Sequence, residues 1–166
     1  MNIDFFNTEC KENIQNNLSF GICDKQDGTK AYTDINNKKD WIAIVENKKN
    51  KNIIFTPINN CIIILKRGSN DRESTCDGML TFENGIYLVE LKEQRTGGWI
   101  PDAIGQLENS IKLLKKATNI NSITYKKAYA CNKRHPNFQV LDIERKRRFY
   151  KETGFRIDVQ TKIKIN

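Results

Sequence analysis

The segment Ile86-Tyr-Leu-Val-Glu-Leu-Lys92 is apolar until its last residues, where Glu90 and Lys92 interrupt it. Two apart on a strand, they point to the same face. Burying a carboxylate and an ammonium costs several kcal/mol unless they pair or bind something. Asn84-Gly85, the strongest short hairpin signal, separates this segment from the run Asp77–Phe82. With Asn84-Gly85 as a two-residue turn, Glu83 pairs with Ile86, Asp77 falls opposite Lys92 and Met79 opposite Glu90. Asp77 then shares the face of Glu90 and Lys92 and lies diagonal to Glu90, about 7 Å away at the backbone. Two carboxylates so placed converge on one hard cation, with a lysine beside it. Oxygen ligands of this kind suit Mg2+ or Mn2+, which keep several waters and bind substrate phosphate. The chemistry that fits is phosphodiester hydrolysis: the metal polarises a phosphate oxygen and activates a water, while Lys92 stabilises developing charge or orients the water.

The elements that must position these residues are legible in outline. Phe6, Cys10, Ile14 and Leu18 recur at fourfold spacing, which predicts an amphipathic helix over 8–19 with Thr8 as N-cap. Residues 24–40 are polar and read as loop. Trp41–Glu46, Asn52–Ile58 and Cys61–Leu65 read as strands, the first two joined into a hairpin by the lysine-rich turn Asn47–Lys51. Pro57 puts the second of these at a sheet edge. Ile86–Lys92, apolar on both faces, reads as a central strand covered on both sides. Pro101 opens a helix near 102–118 whose inner face is Ile104, Leu107, Ile111 and Leu114. A strand follows at Ser122–Ala130, then a basic loop over Lys133–Asn137. A short basic helix at Leu141–Glu152 is stopped by Gly154. In the tail, Phe155, Ile157, Val159, Ile163 and Ile165 alternate with charged residues as one half-buried strand.

Cys76-Asp77, twelve residues, then Glu90-Leu91-Lys92 resembles the PD-(D/E)xK signature of the restriction-endonuclease-like nucleases. The order of elements over roughly residues 8–130 is similar as well. The resemblance implies a single α/β domain: a restriction-endonuclease-like core with a mixed sheet flanked by helices, an added N-terminal-half β-hairpin and a C-terminal helix-strand extension. It implies Asp77 and Glu90 as ligands of Mg2+ or Mn2+ and Lys92 as catalytic lysine. Several such families carry a glutamine on the helix after ExK, and Gln106 matches it, with Ser110 four residues on. A further acidic ligand often comes from the first helix. Glu9 borders the buried stripe of the expected helix, whereas Glu12 points almost opposite, so Glu9 is the candidate. Cys76 stands where the signature has proline.

Charge points to a polyanion. Of the net +8, residues 1–100 contribute −1 (13 basic, 14 acidic) and residues 101–166 contribute +9 (15 basic, 6 acidic), with a pI near 9.3. Lys133, Arg134 and His135, with Arg145, Arg147 and Arg148, are the candidates for contact with a nucleic-acid backbone. Trp99 suits base stacking or packing at the helix entrance. No apolar run reaches the roughly 20 residues of a membrane span. Met1-Asn2-Ile3-Asp4 lacks a signal-peptide start. The five cysteines, an odd number without CxxC spacing, read as buried free thiols of a cytoplasmic protein, not as a disulfide framework or zinc site. The single His135, with no GxSxG or comparable element beside it, argues against a serine or cysteine hydrolase triad, and alone it cannot anchor a zinc cluster.

The expectation is a Mg2+- or Mn2+-dependent DNA endonuclease. Cutting both strands of a duplex needs two active sites, which suggests a homodimer. Two alternatives stand beside it. One is a catalytically inactive nuclease fold that binds nucleic acid or protein. The other is an immunity-type interaction protein in which Glu90–Lys92 is a structural ion pair and Asp77 a strand-end residue.

Overall fold

A computed structural model describes residues 3–137 and 139–166. Met1 and Asn2, which open the segment read as lacking a signal-peptide start, lie outside it, as does Phe138. Among the described residues the chain is an α/β protein with two mixed sheets and two helices, so the expected single mixed sheet flanked by helices is corrected: the smaller sheet covers one face of the larger and the helices the other. Its elements are β1 (Ser19–Cys23), β2 (Tyr32–Asp34), β3 (Ala43–Glu46), β4 (Ile54–Pro57), β5 (Gly78–Phe82), β6 (Gly85–Lys92), α1 (Trp99–Ala117), β7 (Tyr125–Asn132), α2 (Ile143–Thr153), β8 (Arg156–Val159) and β9 (Lys162–Lys164). A four-stranded sheet has the order β2-β1-β3-β9 and a five-stranded sheet the order β4-β5-β6-β7-β8. In the larger sheet β4, β5 and β6 are successively antiparallel. Helix α1 then crosses over to β7, parallel to β6, and β8 is parallel to β7.

Strand β6 is the structural centre, and its period-2 alternation feeds two cores. Tyr87, Val89 and Leu91 pack with Phe20, Val45 and Ile163 between the two sheets. Ile86 and Leu88 pack with Ile104, Leu107 and Ile111 of α1 and with Phe149 of α2. Every β6 residue but Lys92 is buried, as the double-sided apolar pattern requires. Pro57 ends β4 at the edge of this sheet, where its missing N–H interrupts no ladder.

Five sequence expectations are overturned. Residues 24–40 are not all loop, since β2 lies within them and pairs with β1. No helix forms over 8–19. The segment is extended along β4, with Glu12 N donating to Phe55 O (2.8 Å) and Gln15 and Ile53 exchanging both backbone bonds (2.9 and 2.8 Å). Ile14 and Leu18, half of the supposed inner stripe, are 62% and 60% exposed. Asn13, Asn16 and Asn17 are weak helix formers, and the unpaired edge of β4 offers this backbone better partners.

The N-terminal-half hairpin is likewise replaced. β3 pairs with β1 and β9, while β4 pairs with β5. The turn between them is tight, the buried Asn47 side chain bonding both N and O of Lys51, but it carries the chain from one sheet to the other. Cys61–Leu65 forms no strand beyond an isolated Leu65–Arg72 bridge. The tail is two strands: β8 extends the larger sheet and β9 the smaller, with Gln160-Thr161 between. Its alternation still holds, since Phe155, Ile157, Val159 and Ile163 are all buried.

The cysteine reading is corrected in part. Cys23, Cys76 and Cys131 are buried free thiols. Cys10 and Cys61 form a disulfide, Cα atoms 6.0 Å apart across 51 residues of sequence. Odd number and spacing concealed it because the partners come together only when the N-terminal coil lies beside the loop after β4. Closing so long a loop is worth about 2–4 kcal/mol. Cys10→Ser/Cys61→Ser is therefore expected to lower the melting temperature by roughly 5–15 °C, read by calorimetry. An unchanged melting point would show the bridge to be dispensable. Among the described residues no helix is long and apolar enough to cross a membrane.

Candidate active site

The site forms at the carboxyl end of β6, where the strand emerges beneath the start of α1. Asp77 immediately precedes β5, and Glu90 and Lys92 end β6. The turn joining these strands is not Asn84-Gly85. Phe82 pairs with Gly85, so Glu83-Asn84 make the turn and Asn84 takes the left-handed conformation (φ 59°). Gly85 belongs to the strand because the Phe82 ring covers it; a Cβ there would sit 2.2 Å from that ring. The ladder runs Phe82–Gly85 to Gly78–Val89. Carried one residue further, it sets Asp77 against Glu90, not against Lys92. The three side chains keep a common face, and the two carboxylates are direct neighbours.

Both acids are buried, Asp77 to 5% exposure and Glu90 to 2%. Asp77 Oδ2 accepts from Leu91 N at 2.7 Å, which ties the end of β5 across to β6. Glu90 Oε1 lies 3.2 Å from Lys92 Nζ. Glu90 Oε2 is buried and has no hydrogen-bond partner. Burial, the Asp77 charge beside it and the incomplete compensation by Lys92 hold the Glu90 carboxyl well above its ordinary value. Burial raises Asp77 to about 7, opposed by the Leu91 N–H and reinforced by a carboxyl neighbour, Asp24.

Asp24 is the residue the sequence analysis missed. It follows β1 and its carboxyl lies close enough to Asp77 to help raise that group. Its only sequence signal is that it ends the apolar run of β1, and it was read as loop. The acids are linked as Asp24–Asp77 and Asp77–Glu90. Among the described residues they do not form a closed group of three or more ready-made metal ligands.

Lys92 is held from two sides. Its ammonium donates to Gln106 Oε1 at 2.8 Å, and the Gln106 amide reaches Thr75 O at 3.5 Å. Ser110, one turn along α1, accepts from Cys76 N (2.6 Å) and donates to Gln106 O (2.8 Å). The flank of α1 thus fixes both the lysine and the backbone entering Asp77. The helix begins three residues before its expected start because Gly98, in the left-handed region (φ 88°), turns the chain so that Trp99 is buried.

The other candidates divide. Glu9 lies exposed in a turn ahead of the extended segment, and the helix on which its candidacy stood is absent. Glu12 is engaged elsewhere, accepting from Thr33 N and Thr33 Oγ1. The loop Lys133–His135 does border the site: Lys133 N donates to Lys92 O at 2.9 Å, and Lys133 Nζ lies 3.6 Å from Glu93 Oε1. Arg134 is exposed beside it. His135 stacks on Trp99, with Nε2 3.0 Å from Arg95 O. Trp99 is only 5% exposed, so it packs at the helix entrance. Arg145, Arg147 and Arg148 are on α2. Arg145 and Arg148 act electrostatically on Glu108 of α1, and Arg147 faces the outer side near β8.

Searches against protein-family models, curated proteins and solved structures find no match to this chain.

Proposed function

We propose that the chain is a Mg2+- or Mn2+-dependent nuclease that hydrolyses phosphodiester bonds, acting on DNA. The observation that carries this reading is Glu90. One of its oxygens is tied to Lys92, while the other is buried without a partner beside a second buried carboxylate. Two ionised acids side by side in a protein interior are costly; protonation relieves the pair in the metal-free chain, and a divalent cation would take its place. Asp77 and Glu90 would hold the ion, with Asp24 adjoining. Bound there, it would polarise a phosphate oxygen and supply an activated water.

This chain's own residues do the rest. Lys92, anchored by Gln106, presents a fixed positive charge beside the acids, suited to the charge that builds on phosphate oxygens as the bond breaks. Gln106 is a positioning residue. Gln106→Leu is expected to slow cleavage about 10-fold or more while the melting temperature stays close to that of the parent chain. Lys133 and Arg134 flank the strand end, where a phosphate backbone would pass.

The arrangement β4-β5-β6-α1-β7 supports the resemblance to PD-(D/E)xK nucleases: three antiparallel strands, a crossover helix, then a parallel strand, with the motif at the strand end. The preceding helix of that pattern is replaced by the disulfide-anchored coil. The absence of a closed three-acid cluster among the described residues favours the alternative of an inactive nuclease fold used for binding. Purified protein incubated with duplex, single-stranded and branched DNA and with RNA, with and without Mg2+ or Mn2+, separates the two. Metal-dependent cleavage is expected. Salt-sensitive binding without turnover would establish the binding module instead.

A further inference from the structure

A groove far from the acids combines basic residues with exposed aromatic rings. Along the outer side of β8 and the facing side of α2 it is lined by Lys127, Lys146, Arg147, Tyr150, Arg156 and Asp158. It continues past Tyr125, Lys126 and Gly154 to Asn166, with Lys127, Tyr150 and Arg156 common to both parts. The register explains the grouping: Lys127 is directly opposite Arg156, and Tyr129 opposite Asp158, on the side away from α1. Asp158, with Lys146 3.8 Å away, is the acidic side chain lining this stretch. Tyr150 is 53% exposed and Tyr125 38% exposed. Lys127 lies five residues before Asn132, the partner of Lys92, so the groove begins about 17 Å from the site along β7.

We propose that this groove binds a single-stranded segment of nucleic acid, with Lys127, Arg147 and Arg156 on its phosphates and Tyr150 and Tyr125 against its bases. The inference rests on the nucleic-acid reading above and names the form of the substrate. Basic side chains alone would serve any polyanion. Two exposed tyrosines bordering them favour unpaired bases, whose faces are free to stack; those of a duplex are not. The strand would span about five nucleotides between groove and acids.

The test is fluorescence anisotropy of a labelled oligothymidylate about 12 nucleotides long, in EDTA, over a salt series. Tyr150→Ala is expected to weaken binding about 10-fold, and Tyr150→Phe to retain it. Lys127→Ala/Arg156→Ala is expected to lower the slope of log affinity against log salt by about 1.4, for two phosphate contacts on a single strand. Lys48→Ala/Lys49→Ala, which removes two charges from the exposed turn after β3, serves as control and is expected to change neither. Equal losses in the control pair, no effect of Tyr150→Ala, or equal affinity for a blunt duplex or polyglutamate would overturn the proposal. Tyr150-dependent binding by a protein that cleaves nothing would leave the groove standing and the nuclease reading refuted. Cleavage without it would do the reverse.

Discussion

Lys92→Ala is expected to cleave DNA on the order of 10²–10³-fold more slowly than the parent chain with Mn2+ present, the cost of deleting one preorganised charge at a developing oxyanion. Asp77→Ala and Glu90→Ala are expected to fall to background, since each removes half of the acid pair that would hold the ion. Circular dichroism should report the same fold for all three. The geometry makes the three losses separable. Lys92 touches Glu90 and Gln106, so its removal leaves both carboxylates available and metal affinity is retained. Removing either acid lowers metal affinity itself. Mn2+ titration of the residual rate distinguishes these patterns. Variants that all cleave like the parent would mean that the nuclease activity lies elsewhere or belongs to a contaminant.

The second large effect is on stability. The folded state holds Asp77 near 7, against 3.8 ordinarily, and Glu90 well above 4.5. Raised carboxyl values mean that the folded chain binds more protons than the unfolded one between about pH 4 and 7. The contribution of these two groups to metal-free stability is therefore greatest below the ordinary carboxyl range and falls as pH rises through the folded values. This is opposite to the behaviour of a salt-bridged surface carboxylate. At about pH 8 both acids must ionise in the interior, which costs stability. Asp77→Asn/Glu90→Gln keeps an oxygen acceptor for Leu91 N and for Lys92 while removing both charges. It is expected to raise the metal-free melting temperature at about pH 8 by several degrees and to do little near pH 4. Added Mn2+ is expected to stabilise the parent chain strongly at about pH 8, weakly near pH 5, and the double variant at neither. A parent chain whose metal-free stability rises from pH 5 to 8 would contradict the buried-acid account.

Local pattern determined a good deal. The apolar run from Ile86 announced a strand covered on both sides, and the Ile104/Leu107/Ile111/Leu114 stripe announced α1. Gly154 marked the end of α2, as its left-handed φ of 78° bears out. Asp77, Glu90 and Lys92 share a face under either hairpin register, because moving the turn by one residue shifts each partner by two and so keeps parity on a period-2 strand. That is why the site was legible although the turn was misplaced. What pattern could not supply was any choice between competing partners. The spacing of Phe6, Cys10, Ile14 and Leu18 is helical, but β4 has a free edge and Cys61 lies within reach, so tertiary bonding overrode the period. The turn after β3 was tight, as read, yet which strand each arm would pair with depended on β1, β5 and β9. Asp24 joined Asp77 only because β1 of one sheet ends beside β5 of the other. Arg147 parted from Lys133 because α2 turns it toward β8. Periodicity is a property of a dozen consecutive residues and is written in them. Pairing, disulfide closure and the meeting of charges from two sheets depend on which distant surfaces are left uncovered, and only the folded chain decides that.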